Sequence, residues 1–316
     1  MRAGTTAAPS ITPGAGTLDT TPAQRRSAGV RRLTQAVLRN RKATAGLLIL
    51  LVITFVAVFP ELFARGDPQA AIYGQQLGPS GQHLLGTTQL GQDVFSQLIW
   101  GTRLTMIITV VVSLAATLIS VLIGVTAAYV GGMADRSLSL LTDVFLVLPT
   151  LPLLIVLTAY LPSGSVTIIA VMIVTSWAFA ARQLRAQGLS LRTRDFLEAA
   201  VVRGERRSYI IVVEILPNMI SLLVASFLGL AVFVVGFAAG LQFLGLGNST
   251  DLTWGTMLYY SQQNGALESG NALWTLAHGA AVALLGTGFA LLNYAFDEIG
   301  NPALRPVRRR RGKPVA

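Results

Sequence analysis

The chain has 316 residues, 53% of them hydrophobic and only 12% charged, with a mean hydropathy of +0.61. A soluble domain is about a quarter charged, so this composition points to a polytopic membrane protein. The absence of cysteine, and the presence of only His83 and His278, exclude disulfides, thiol chemistry and a Cys- or His-based metal site.

Residues 1–24 are rich in Thr, Ala, Pro and Gly and lack an apolar core. They read as a disordered tail rather than a signal peptide, because the first apolar run begins only near Ala43 and is long enough to span. Six spans are expected, at about 43–63, 104–130, 137–160, 165–186, 217–246 and 272–296. The first and second are joined by a long connection, 64–103, whose QLGQDVFSQLIWG stretch is expected to lie as an interfacial helix. A second polar connection, 247–271, carries Asp251, Trp254 and Glu268. No internal repeat is evident, which disfavours inverted-repeat carriers.

Charge distribution fixes the expected orientation. With the N-terminus inside, the interior pieces 1–42, 131–136, 182–213 and 297–316 hold 8, 1, 7 and 6 basic residues, 22 of the 24. Only Arg65 and Arg103 remain outside. Both termini are therefore expected in the cytoplasm. The net charge of +10 flanks apolar runs as topology requires, and the VRRRRGK tail suits anionic lipid headgroups better than nucleic acid. The expected division is a basic cytoplasmic segment 1–42, a first span with its extracellular connection 43–103, a five-helix core 104–296 with a cytoplasmic loop at 188–215, and a basic tail 297–316.

The charged stretch between spans four and five, DFLEAAVVRGERRSYIIVVEILP at 195–217, is the most informative. Asp195 with Glu198 three residues later resembles a capping box. Gly204 can take the left-handed turn that ends a helix. Residues 196–203 are thus expected as a two-turn helix, mostly apolar and in need of cover. Pro217 should push Leu216 out of helical geometry and start a new helix, leaving 208–215 as a separate short piece. Composition alone leaves open whether this apolar helix packs on the chain's own spans or docks on another protein.

The spacing of Glu198, Ala199, Ala200, Gly204, Leu216 and Pro217 resembles the EAA loop of permease subunits in bacterial ABC importers. The apolar residue usual two places before the leucine is Glu214 here. HLLGTTQLGQDVFSQLIWGTR resembles the H-x-LGTDxxGRDVxSRxxxGxR segment of dipeptide and oligopeptide permeases, with His83, Gly86, Thr87, Gly91, Asp93, Gly101 and Arg103 matching and Thr88, Gln92 and Gln97 departing. FLGLG at 243–247, the Trp254-Gly255 pair followed by Met257-Leu258, and the approach to the first span at 31–50 also fit, so the resemblance covers about 31–305.

That resemblance implies an all-α fold of the type I ABC importer permease class, in the bacterial plasma (inner) membrane. It implies that the six EAA-loop residues couple to an ATPase, and that the cargo is a dipeptide or oligopeptide, with nickel-chelate, glutathione or another small solute as alternatives. The implied partners are a homologous second permease, two ATPase subunits or domains and an extracellular solute-binding lipoprotein. ATP and Mg would then sit on the ATPase partners. This chain supplies no phosphate-binding loop of its own: its only lysines, Lys42 and Lys313, are followed by Ala and Pro rather than Ser or Thr.

Two residues inside the spans are candidates for a gating or path role. Asp143 can instead pair with Arg136 or Arg182 near the interface. His278 can instead be a hydrogen-bonded packing residue. A stand-alone proton-coupled carrier would need these two to work together. Pro149 and Pro152 are expected to bend the third span, as a fixed kink or alternatively as a hinge for alternating access. No nucleophile–base or metal constellation can be assembled, so no catalytic residue is expected.

Overall fold

The computed structural model describes residues 40–248 and 250–300. The N-terminal tail and most of the basic C-terminal tail fall outside the described residues. Helix α1 (Arg41–Val58) starts at Asn40, whose side chain accepts a bond from Lys42 N at 3.0 Å. A long connection leads to α2 (Val94–Val130), capped by Asp93, whose Oδ2 accepts from Ser96 N at 2.8 Å. The 37 residues of α2 reach about 55 Å at ~1.5 Å each, against a hydrocarbon core of ~30 Å. The expected separate interfacial helix is therefore the first turns of α2. No proline interrupts 94–130, and Gly101 sits where Trp254 packs against it.

The third span is broken rather than kinked. Helices α3 (Gly132–Val147) and α4 (Thr150–Tyr160) meet at 84°. Pro149 forces Leu148 into an extended conformation (φ −63°, ψ 129°). Pro152 then falls in the first turn of α4, where a missing N–H costs nothing. The fourth span is a pair, α5 (Ser165–Ser176) and α6 (Ala178–Arg192), joined at Trp177. The Trp177 carbonyl at this joint accepts a bond from Ser120 Oγ of α2 at 2.7 Å. Helix α6 runs on to Arg192, into the segment expected to be loop.

The short α7 (Asp195–Val202) and a helical segment at 207–218 precede α8 (Ile220–Leu241), which widens into a π turn at Gln242–Leu246. Then come α9 (Trp254–Gln263) and α10 (Ala272–Gly300). Among the described residues five helices are long and apolar enough to cross a membrane, six if the bent α3–α4 pair is one span. Among the described residues the extended pairing is an isolated bridge between Thr87 and Asp93.

Helix α2 is the centre of the bundle and packs on α1, α5, α6 and α8, while α10 lies across α1 and α8. Ile53, Leu228, Leu285 and Phe289 fill the α1–α8–α10 core; Ile108, Leu154, Ile168 and Val234 fill the α2–α4–α5–α8 core. Close crossing of α2 and α6 depends on small residues: Gly124 lies against the Ala181 carbonyl, and Gly188 faces Ala128. The hydroxyls of Thr105, Thr109, Ser113 and Thr117 each donate to the carbonyl four residues back at 2.7–2.8 Å. Thus α2 is polar in sequence on one face but has its hydroxyls satisfied.

Candidate functional site

Helix α7 begins differently from the sequence expectation. Arg194 is extended (φ −92°, ψ 140°), and its carbonyl already accepts from Leu197 N at 2.9 Å. Asp195 is therefore inside the first turn, and no side chain caps the helix. The capping box expected of Asp195 and Glu198 does not form. Both carboxylates still lie at the positive end of the helix dipole.

The period of the helix separates the paired alanines. Leu197 and Ala200, three apart, are buried in a cluster with Val125 of α2, Leu184 of α6, and Ile210, Ile215 and Met219. Phe196, Ala199 and Val202, also three apart, face outward, and Val202 is 89% exposed. Ala200 anchors the helix to the bundle, whereas Ala199 belongs to an uncovered apolar strip. Val201 extends that strip, and Tyr209, Val212 and Val213 are exposed on the segment that follows. Two adjacent alanines carry no signal that distinguishes these places; only the packing does.

Gly204 (φ +76°) ends α7 as expected: Glu205 N reaches back to the Ala200 carbonyl at 3.2 Å and Gly204 N to Val201 at 2.9 Å. Arg203 then bridges to Glu205 (3.7 Å) and Glu214 (3.5 Å). Glu214, the departure from the family pattern, ties the end of α7 to the following segment.

Pro217 does not displace Leu216, which stays helical (φ −58°, ψ −42°). The preceding turn is a π turn, Ile210–Ile215. Its wider winding moves the carbonyl that the proline ring would otherwise meet. The break comes two residues later, at Met219 (φ −105°, ψ 4°), and α8 starts there. The expected separate piece 208–215 is instead continuous with 216–218.

The remaining candidates are not gathered at this site. Asp143 of α3 forms an ion pair with Arg182 of α6, both side chains more than half exposed. His278 is fully buried in α10, its Nδ1 2.7 Å from the Trp274 carbonyl. A second α3–α6 link, which the sequence reading missed, is bidentate: Arg185 Nε and Nη2 donate to the two Asp135 oxygens at 2.6 and 2.7 Å. The signal available was Arg185 itself, a cation within an otherwise apolar span.

At the opposite end from α7, the two long connections form one assembly. Asn271 Nδ2 donates to the Thr87 carbonyl at 2.8 Å, and Trp254 Nε1 to the Leu98 carbonyl at 2.9 Å. His83 Nδ1 lies 3.1 Å from Asp93 Oδ1, both buried. Where the family pattern carries charge, Gln97 Nε2 donates to Gln92 Oε1 at 2.8 Å, and Thr88 Oγ1 accepts from Gln92 N at 3.1 Å. Neutral hydrogen bonds occupy these positions.

A bundle of apolar spans, with a short helix at one end whose apolar strip is exposed, defines an integral membrane protein. Residues 120–299 match the family described as the binding-protein-dependent transport system inner membrane component, and the chain belongs to that family. It is 34% identical over 223 residues to the oligopeptide transport system permease protein OppC of Bacillus subtilis, covering 69% of this chain and 72% of that one. It is 31% identical over 272 residues to the dipeptide transport system permease protein DppC of Alkalihalophilus pseudofirmus, covering 84% and 88%. Its fold is similar to a chain of the MetNI methionine ABC transporter in an inward-facing conformation, with a TM-score of 0.52 at 21% identity over 66% of this chain and 97% of that one.

Proposed function

We propose that the chain is one permease half of an ATP-driven importer of dipeptides or oligopeptides, and that α7 with the 207–218 segment is where ATP hydrolysis is coupled to it. The observation that carries the coupling is the two-sided α7. Leu197 and Ala200 fasten it to α2 and α6, while Phe196, Ala199 and Val202 present apolar surface that no described residue covers. Exposed apolar strips of this kind mark protein contacts. A rigid ridge on the ends of the spans transmits force better than a free loop.

The orientation is read from the sequence positions of the basic residues, 22 of the 24 lying in 1–42, 131–136, 182–213 and 297–316. Both termini and α7 are then cytoplasmic, and the assembly around His83 and Asn271 is exterior. A second, homologous permease completes the path, two ATPase subunits bind ATP and Mg and engage α7, and a solute-binding lipoprotein delivers cargo to the exterior assembly. This chain contributes helices and contacts, with no cofactor of its own. The peptide cargo is inferred from the names of the relatives.

The test is purification of the tagged chain from its native membrane followed by identification of bound proteins and ATP-driven peptide uptake in vesicles. Recovery of two ATPases and a second permease is expected. A chain that moves peptide alone on a proton gradient refutes the proposal. Asp143 and His278, the pair such a carrier would need, have separate partners on different helices.

A further inference from the structure

Beside α8 lies a hollow of about 480 Å³, walled by the α5–α6 joint, the end of α3 and α10. A second hollow of about 390 Å³ adjoins it toward Asn218 and Gln187, and the two share Leu222, Ala225 and Asp297. Together they run from the α7 end of the bundle toward Thr150 at the break of the third span.

The lining mixes hydroxyl, amide and carboxylate groups with apolar side chains. Ser176 and Ser226 are 8% and 7% exposed, and their hydroxyls have no partner. A buried hydroxyl without a partner is costly, and a ligand that bonds it removes that cost. Asn293 and Gln183 add amides, each able to donate and accept. Phe179 and Phe233 supply flanking apolar faces. An array of hydroxyl and amide groups between aromatic rings matches a peptide backbone, which has both kinds of hydrogen-bonding group and varied side chains.

Asp297 sets the charge. It stands in the last turn of α10, where the helix dipole disfavours an anion. Among the described residues no cation pairs with it. Its neighbour Glu298, by contrast, accepts from Asn40 Nδ2 at 3.0 Å. Asn293 is one helical turn away on the same face, so the carboxylate and the amide flank the hollow together.

We propose that this hollow is a subsite in which Asp297 holds the ammonium group of a passing peptide while Asn293, Gln183 and the two serines meet its backbone. The proposal rests on the import reading above and adds a charge preference at a named place in the path.

Because the chain has no cysteine, Asn293→Cys introduces a single thiol beside the carboxylate without background from this chain. In the purified complex, the ratio of cationic MTSET to anionic MTSES labelling rates at the Asn293→Cys thiol is expected to exceed the same ratio for a free thiol in solution severalfold, since the Asp297 carboxylate concentrates cations beside it. Adding Asp297→Asn should bring the ratio down to that of the free thiol. Tri-alanine should slow the cationic reagent, and N-acetyl-tri-alanine should not.

A thiol that reacts with neither reagent, or a ratio indifferent to Asp297→Asn, overturns the subsite. A charge preference that tri-alanine does not alter overturns its assignment to peptide. Labelling reads the hollow whether or not uptake occurs, so failure of the import reading would show instead as missing ATP-driven transport.

Discussion

Val202→Asp isolates the docking face from the fold. Val202 is 89% exposed, so the substitution should cost no more than about 1 kcal/mol, most of it from an anion in the last turn of α7. In the assembled complex the same side chain would be enclosed. Losing its burial removes about 1.5 kcal/mol, and a carboxylate in its place adds a desolvation cost of a few kcal/mol. The sum is at least about 3 kcal/mol, a roughly hundredfold loss of affinity for the ATPase. The assay is paired: thermal unfolding of the purified variant, and the amount of ATPase that co-purifies with it. A melting curve little changed, with the ATPase lost, is the expected result. Full retention of a functional ATPase would refute the assignment of the outer face of α7 as the dock. Ala200 cannot serve for this test, because it is fully buried against the bundle and any large substitution there perturbs the fold itself.

Gly204→Ala should destabilise the turn after α7 by about 1–2 kcal/mol, because φ is +76° there, and should lower the melting temperature while Gly204→Asn does less harm. A double-mutant cycle of Arg203→Ala and Glu214→Ala should give a coupling below about 1 kcal/mol, since the pair is half exposed on the arginine side. Gly124→Leu should prevent α2 and α6 from closing at the Ala181 carbonyl, seen as loss of folded protein in detergent. His278→Leu should leave peptide uptake and its pH profile unchanged, because the ring is enclosed and bonded to its own helix. A shifted profile in that variant would place His278 in the path.

The membrane class and the position of nearly every span were legible in the sequence because hydrophobicity and helix period are local properties. The same holds for Gly204, whose left-handed turn has a single-residue signature, and for an interruption at Pro149, although the expected kink is a break of 84°. The two helix-start expectations failed for a related reason. Capping by Asp195 and the exclusion of Leu216 from helix are both one-residue rules. At each place a neighbouring backbone, extended at Arg194 and π-wound at 210–215, changed which residue the rule applied to. The interfacial helix failed because nothing in 94–103 marks where an unbroken helix leaves the membrane.

What the sequence by itself determined is therefore the list of spans, the uneven distribution of basic residues between them, and the stretch 195–217 as the part that differs from ordinary membrane loops. What only the tertiary structure decided is which side of that stretch faces outward. It buried Ala200 and exposed Ala199, gave Glu214 a partner in Arg203, and separated Asp143 from His278. It also brought Asp297 to the same hollow as Ser176, more than a hundred residues earlier in the chain. These are contacts between distant segments, and no periodicity or composition along the chain encodes the direction in which one packed face meets another.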